Sequence, residues 1–317
     1  MLDELTPPAS ALADVLPTDR LQPNGMLRPD LRQPLRRIPG FRNALSVAAL
    51  WAGVVVLIAA ATQLHRWWVV LIVFLLMGPV HVRFAILMHE AAHRLLFASK
   101  RANDLVGMWL IACPALVPLT LYRRSHMAHH REEFGPNEPD IAFYSGYPGP
   151  AAALRRRLVR DAVGISGWKN LKVLLLAMRT SSGRRIAGPI IAVQLVLWAL
   201  MWTLSGAWWA YPLLWLLPWM TQWRVLNRLR ALGEHGGMTA SEDRRLTTHN
   251  VAQHPLARLW FVPYNTGWHL AHHVDMGIPF RQLPAFHAEL AEAGYVNDAM
   301  TFRSYTALWR ACITPER

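Results

Sequence analysis

Histidines gathered in three short groups are the residues of this sequence whose types and spacing could do chemistry. The groups are HEAAH at 89–93, HMAHH at 126–130 and HLAHH at 269–273. Side chains three and four residues apart lie on one face of a helix, so each group would present its imidazoles together. Imidazole is a good ligand for zinc, copper and iron. Each group therefore predicts a metal-binding helix face.

The number of histidines predicts more than one metal ion. The three groups hold eight of the 14 histidines, and His235 in the segment GEHGG is a ninth candidate. One ion is satisfied by three or four protein ligands, so eight or nine imidazoles fit two ions. A redox metal is favoured, because Glu90 is the one hydrolytic group nearby. The other histidines are predicted to pack, lie at an interface or support the ligands: His65, His81, His249, His254 and His287.

Two other classes of protein remain as alternatives. HEAAH alone has the HExxH pattern of zinc hydrolases, in which Glu90 would be the general base of an intramembrane protease. This alternative leaves the six histidines of the other two groups without a role. A non-catalytic lipid-binding or scaffold membrane protein is the third possibility.

The composition points to a membrane protein. Of 317 residues, 53% are hydrophobic and 17% charged, and the formal net charge is +13. A basic protein with long apolar runs fits basic loops facing anionic lipid better than a nucleic-acid-binding protein. Cys113 and Cys312 form no CxxC pair, which excludes a disulfide framework, a rubredoxin or a cysteine-ligated cluster within the chain.

The elements that must position the histidines are predicted to be membrane helices. Four apolar runs are long enough to cross a bilayer and form two hairpins: 44–64, 67–88, 186–204 and 207–223. The helical pattern of the second run continues to His93, so the first histidine group would project from the membrane. The Arg-rich residues 1–43 are predicted to be a cytoplasmic, partly disordered tail, and residues 44–317 a single domain.

The distribution of arginine and lysine predicts the topology. Residues 122–185 carry twelve Lys or Arg, whereas the turns at 65–66 and 205–206 carry one and none. The apolar segment 105–121 contains two prolines and is short for a span. If it lies at the interface or re-enters, all Arg-rich segments fall on the cytoplasmic side. A helical cytoplasmic cap of 122–185 and 224–317 then carries the histidines of an all-α integral membrane protein.

The order HEAAH, HMAHH, GEHGG and HLAHH resembles the membrane fatty acid desaturase and hydroxylase superfamily, over about residues 44–290. The run IPFRQLPAFH at 278–287 resembles the segment that follows the last histidine group in bacterial members. The resemblance implies two non-haem irons and a membrane-surface helix between the first two groups. It also implies the iron ligands, which would be His89, His93, His126, His129, His130, His235, His269, His272 and His273. Ala231 stands where the family has the Asn that holds a metal-bound water.

The resemblance implies an oxygen-dependent oxidoreductase that acts on an acyl chain. A fatty acid desaturase acting on an acyl lipid or acyl thioester is favoured; a hydroxylase, a ketolase or a terminal-alkene-forming decarboxylase would use the same diiron site. Electrons would come from an external ferredoxin, rubredoxin or similar donor with its reductase, since the chain has no CxxC and no HPGG haem segment. The expected location is a bacterial inner membrane, with the active site on the cytoplasmic side and no nucleic acid bound.

Charged residues near the histidines have predicted supporting roles. Four acids could orient imidazoles or could simply be solvated: Glu132, Glu133, Asp140 and Asp275. The Arg runs 155–157 and 184–185 could bind lipid headgroups or an acidic carrier, or could only reflect the topology.

Overall fold

The computed structural model of the protein describes residues 4–12 and 14–314, and these residues are mainly helical, as predicted. The α-helices are α1 Pro29–Leu35, α2 Gly40–Gln63, α3 Trp67–Ala92, α4 Lys100–Val106, α5 Leu119–Glu132, α6 Ile141–Tyr144, α7 Ala151–Ala162, α8 Ile165–Ala177, α9 Ser181–Ser205, α10 Leu217–Met220, α11 Gln222–His235, α12 Pro255–Trp260, α13 His269–Val274, α14 Leu283–Glu292 and α15 Tyr305–Ala311. Short 3-10 turns are Ala9–Ala11, Arg244–Leu246 and Asp298–Met300, and π-helical turns are Gly107–Ala112 and Pro212–Leu216.

Among the described residues, four two-residue strands form two parallel pairs. The strand β1 (Gly149–Pro150) pairs with β4 (Ile313–Thr314), and β2 (Asn250–Val251) pairs with β3 (Thr301–Phe302). The contacts divide the chain into two compact units: the first from 1–38, 124–155 and 228–317, the second from 39–123 and 156–227. The predicted single domain over 44–317 stays a prediction.

In the part of the chain that the structure describes, three helical stretches are long and apolar enough to cross a membrane: Pro29–Gln63, Trp67–Ala92 and Ser181–Ser205. They contain the first three predicted spans. The second continues as one helix through the first histidine group, as its pattern predicted.

The fourth predicted span and the predicted interfacial helix are both broken in the structure. Residues 207–223 contain the π-helical turn Pro212–Leu216, α10 and the start of α11, so their crossing of the membrane stays a prediction. Residues 105–121 are not one helix, because the π-helical turn that continues α4 ends at Ala112 and α5 begins at Leu119. Proline lacks an amide hydrogen and clashes with the preceding turn, and each segment contains two prolines.

In the second unit, Gln222 supports the long helix α3 where Pro79 interrupts its hydrogen bonding. Gln222 Nε2 donates to the Phe74 carbonyl at 2.9 Å, and its Oε1 accepts from the Gly78 amide at 3.2 Å. A Cβ at Gly78 would lie 2.5 Å from Gln222 Oε1, so this approach needs glycine. The contact supports the helix that carries the first histidine group at its far end.

In the first unit, the N-terminal segment is packed, which corrects the expectation of a partly disordered tail. Leu21 and Leu27 are fully buried. Arg20 pairs with Glu289 at 2.6 Å, and Arg32 binds Asp275 at 2.5 Å. The polar composition of 1–43 gave no indication of these few apolar and charged contacts, which hold the described part of the segment in place.

Candidate metal centre

The second histidine group occupies the last two turns of α5. His126, His129 and His130 are all buried. The helix ends at Glu132, whose carbonyl accepts the Gly135 amide, and Phe134 takes the left-handed conformation with a φ of 59°. The chain thus turns away directly after the histidines.

The third group forms most of the six-residue helix α13, in which all three histidines are buried. The loop before it is held by Gln253, whose Nε2 donates to the carbonyls of Val251 at 2.8 Å and Gly267 at 2.9 Å. A Cβ at Gly267 would overlap the Gln253 side chain. So short a helix is stable only through such tertiary contacts.

His235 is the last residue of α11, and Gly237 follows it with a φ of +75°. Its Nδ1 lies 2.8 Å from the Thr247 carbonyl oxygen, and the side chain is buried. Nδ1 therefore carries the proton in this bond, and Nε2 keeps its lone pair.

Within the first unit, the imidazoles form two groups. In each group, the Nε2 atoms lie close to one another. In one group, His130 Nε2 lies 3.2 Å from that of His126 and 3.1 Å from that of His272. In the other, His269 Nε2 lies 3.1 Å from that of His235 and 3.0 Å from that of His273. Nitrogens bound to one metal at about 2.1 Å lie about 3.0 to 3.4 Å apart for angles between octahedral and tetrahedral. The described spacing fits a metal site.

His129 joins the second group. Its ring centroid lies 4.9 Å from that of His235 and 5.0 Å from that of His273. The three residues each offer a ligand nitrogen, all within 4.8 Å of one another. Seven of the nine predicted ligands thus come together inside one unit.

Carboxylates lie near the outer nitrogens of three of these imidazoles, and two of them are within hydrogen-bond distance. Nδ1 of His129 lies 2.9 Å from Glu138, and Nδ1 of His273 lies 2.5 Å from Glu133. Nδ1 of His269 is 3.6 Å from Glu234. A metal-binding histidine ordinarily donates its other nitrogen to such a group, which fixes the tautomer and the ring orientation.

The first histidine group lies at the C-terminal end of α3 in the second unit. The rings of His89 and His93 have centroids 4.7 Å apart, as expected for side chains four residues apart. The last carbonyls of the helix are capped from outside: Asn103 donates to Ala91, and Arg123 donates to Ala91 and Ala92, all at 2.9 Å. These bonds satisfy acceptors that a helix end leaves open.

Comparison with known proteins identifies the chain. A sequence model described as "Fatty acid desaturase" matches residues 65–305. The chain belongs to the fatty acid desaturase family. It is also 28% identical over 260 residues to a dihydrorhizobitoxine desaturase of Bradyrhizobium elkanii, covering 76% of this chain and 74% of that protein. The predicted resemblance is confirmed, and the match extends further towards the C-terminus than the sequence motifs indicated. Family and relative together support an oxidoreductase, and the family implies a lipid substrate and membrane association.

Burial affects the pKa values of several imidazoles in this member of the fatty acid desaturase family. It lowers the pKa of His235 and of His269 well below the ordinary value, and the neighbouring histidines add to the effect. Both rings are therefore neutral, the form that binds metal. Burial also disfavours the charged form of His129, but the hydrogen bond to Glu138 and its charge outweigh burial and raise the pKa of His129.

Arginines in turn hold the carboxylates of this desaturase-family protein. Arg244 lies 2.6 Å from Glu133 and donates to the His130 carbonyl at 3.2 Å, so it joins both imidazole groups. Arg230 lies 2.9 Å from Glu234. Burial raises the pKa of Glu234 even so.

The five histidines predicted to be non-ligands have other surroundings. His81 Nε2 lies 2.9 Å from the Trp215 carbonyl, and His249 Nε2 lies 2.8 Å from that of Gly236. His254 caps α12 through its Nδ1, His65 is exposed, and His287 lines a cavity of about 610 Å³. These contacts agree with the predicted packing and supporting roles.

The acids that support imidazoles are only partly those predicted. Glu133 has the predicted role. Asp275 pairs with Arg32 instead, and the Asp140 amide donates to Glu138 at 3.1 Å. Sequence analysis missed Glu138 and Glu234, although Glu234 directly precedes His235. No local pattern marks Glu138, which reaches His129 from a loop nine residues further along the chain.

Proposed function

We propose that the protein is an oxygen-dependent, non-haem diiron desaturase that acts on an acyl chain. The observation that carries the proposal is the pair of buried imidazole groups in the first unit, with Nε2 atoms 3.0 to 3.2 Å apart. So many nitrogen donors exceed what one zinc ion needs.

Nine histidines are proposed as iron ligands. Seven lie in the first unit: His126, His129, His130, His235, His269, His272 and His273. The family supplies the reason for adding His89 and His93, since its members carry three histidine groups and this chain has the first group at the end of α3.

The irons would supply the redox chemistry by which oxygen and two electrons remove two hydrogens from adjacent carbons of the chain. The protein's own residues position this chemistry. Glu133, Glu138 and the Thr247 carbonyl fix the orientation of their imidazoles, so Nε2 stays directed inward. All the proposed ligands except the partly exposed His93 are buried, which limits the access of bulk water to the centre.

The proposed substrate and partners are those that the family implies. A fatty acyl lipid or acyl thioester would reach the centre from the membrane, and an external ferredoxin or rubredoxin with its reductase would deliver electrons. The active site would lie on the cytoplasmic side of a bacterial inner membrane. Hydroxylation, ketolation or oxidative decarboxylation would begin with the same hydrogen abstraction.

The test is iron content and product formation in purified full-length protein. We expect two irons per chain, oxygen consumption coupled to a product with one new double bond, and loss of both iron and product in His129→Ala and His272→Ala. His65→Asn, at an exposed histidine, should keep both. The substrate screen includes acyl lipids, acyl thioesters and dihydrorhizobitoxine, for which the relative is named.

Three outcomes separate the alternatives. One zinc per chain with peptide hydrolysis that persists without oxygen would indicate an HExxH protease. A hydroxylated, oxo or chain-shortened alkene product would keep the diiron centre and change the reaction. Absence of turnover together with unchanged metal content in His129→Ala would favour a non-catalytic lipid-binding protein.

A further inference from the structure

In the second unit, one face of helix α8 packs against α10, and another face is exposed. Gly167 faces α10, and a Cβ there would lie 2.2 Å from the Met220 carbonyl oxygen, so the two helices approach closely. Away from this contact, Trp168 is 52% exposed and Val173 69% exposed. The exposed apolar side chains of this segment are Ile165, Trp168, Val173, Leu175 and Leu176.

Cations are interleaved with these apolar residues. Lys169 and Lys172 are exposed, and they lie one turn from Ile165, Trp168 and Val173 along the helix. The exposed cations of the surrounding segment are Arg156, Arg160, Lys169, Lys172, Arg179, Arg184 and Arg185. The sequence 156–185 contains one acid, Asp161, and it is buried. All the exposed charged residues of this surface are therefore positive.

The chain places α8 close to the membrane surface. It ends at Ala177, and α9, one of the three helices able to cross a membrane, begins at Ser181. Four residue steps span at most about 14 Å. The uncharged part of α9 begins after Arg185. The end of α8 thus lies within reach of the level at which α9 enters the bilayer.

We propose that the exposed face of α8, with the flanking Arg179, Arg184 and Arg185, binds the headgroups of anionic phospholipids. Apolar side chains enter the region between headgroups and acyl chains, while the lysine stems lie along that region and their ammonium groups meet phosphate. Exposed tryptophan and valine interleaved with lysine favour a lipid surface over an acidic protein, which would be matched by charge without so much apolar area.

The first test compares lipids on full-length protein purified in detergent. Thermal midpoints are measured during titration with phosphatidylglycerol or phosphatidylcholine. We expect phosphatidylglycerol to stabilise the wild type at lower concentration, and Lys169→Gln/Lys172→Gln to need about tenfold more of it. Arg303→Gln/Arg310→Gln, which removes two exposed cations from the first unit, should behave as wild type. Added salt should weaken the preference.

The second test measures depth. A nitroxide on Val173→Cys, in nanodiscs containing phosphatidylglycerol, should collide more with oxygen than with a water-soluble nickel chelate. The same label on Thr306→Cys, at an exposed residue of the first unit, is the water-exposed control. Equal response to both lipids, an undiminished preference in the lysine variant, or a water-exposed label at 173 would each overturn the proposal. An acidic protein partner would give the first and third of these results.

Discussion

At the residue scale, the imidazoles of the first unit differ in the charge of the group that holds Nδ1. His129 and His273 each meet a carboxylate, whereas His235 meets the neutral Thr247 carbonyl. A carboxylate raises the basicity of the imidazole it orients and compensates the charge of a bound metal. Glu133 also pairs with Arg244, which donates to a backbone carbonyl of the other imidazole group.

Glu133→Gln should therefore weaken metal binding without removing a ligand. The amide keeps the size of the side chain but loses the charge that faces His273 and Arg244. We expect iron affinity, measured by competition with a chelator, to fall about 10- to 100-fold. Glu132→Gln, one residue earlier on α5, is the matched control and should bind iron as wild type. Equal iron affinity in the two variants would contradict the orienting role.

His249→Gln tests a buried histidine that is not a proposed ligand. Burial lowers the pKa of His249 to about 4. Above about pH 6.5 the ring is neutral in both folded and unfolded chains. As the pH falls from about 6.5 to 4, the unfolded chain binds a proton that the folded chain does not, so stability is lost at up to about 1.4 kcal/mol per pH unit.

The measurement for His249 is the thermal midpoint of wild type and variant at pH 7, 6 and 5. Glutamine can still donate to the Gly236 carbonyl, so the midpoints at pH 7 should be similar. The wild type should then lose more stability on acidification than His249→Gln. Parallel curves for the two proteins would show that His249 does not titrate in this range.

At the element scale, the sequence predicts helices better than it predicts breaks. The long helix α3, including its extension through the first histidine group, follows from an apolar pattern that continues past Gly78 and Pro79. In 207–223 the same apolar composition continues across Pro212 and Pro218, and hydropathy alone does not register the π-helical turn or the break at Thr221. Helix ends depend on individual hydrogen bonds, which composition does not contain.

In the candidate site, too, the sequence predicts some features and not others. Spacing of three and four residues predicts which imidazoles share a helix face, and all seven in the first unit come together as expected. The groups that hold them come from distant positions: Glu138 from a loop, Arg244 from a 3-10 turn and Thr247 from the residues after it. Their roles arise from tertiary packing, for which a single sequence carries no local signal.

Arg123→Met should loosen the end of α3. It removes the donor to the Ala92 carbonyl and one of the donors to the Ala91 carbonyl, which keeps Asn103, in the last turn of the helix that carries His89 and His93. Leaving the Ala92 carbonyl without its partner costs about 1 to 3 kcal/mol. We expect a lower thermal midpoint and faster iron loss to a chelator. Arg124→Met, at the exposed neighbouring residue, should change neither; a similar decrease in both variants would indicate a general charge effect.

At the scale of the whole molecule, the charges of the loops and the apolar helices together predict the membrane topology. Positive residues are concentrated on the cytoplasmic side of membrane proteins. The turn between α2 and α3 holds one arginine, Arg66, and that after α9 holds none, whereas 122–185 holds twelve cations. These two turns should therefore lie outside, with the histidine groups inside.

Labelling of single cysteines with a membrane-impermeant maleimide tests this topology. Native Cys113 and Cys312 are buried, which keeps the background low. In intact cells, Gln63→Cys and Ser205→Cys should react, whereas Ala162→Cys and Ala299→Cys should react only after the membrane is opened. Because Ala299 follows the broken segment 207–223 and Ser205 precedes it, opposite labelling of these two requires that the chain cross there. Labelling of both from the same side would leave three spans and contradict the two-hairpin arrangement.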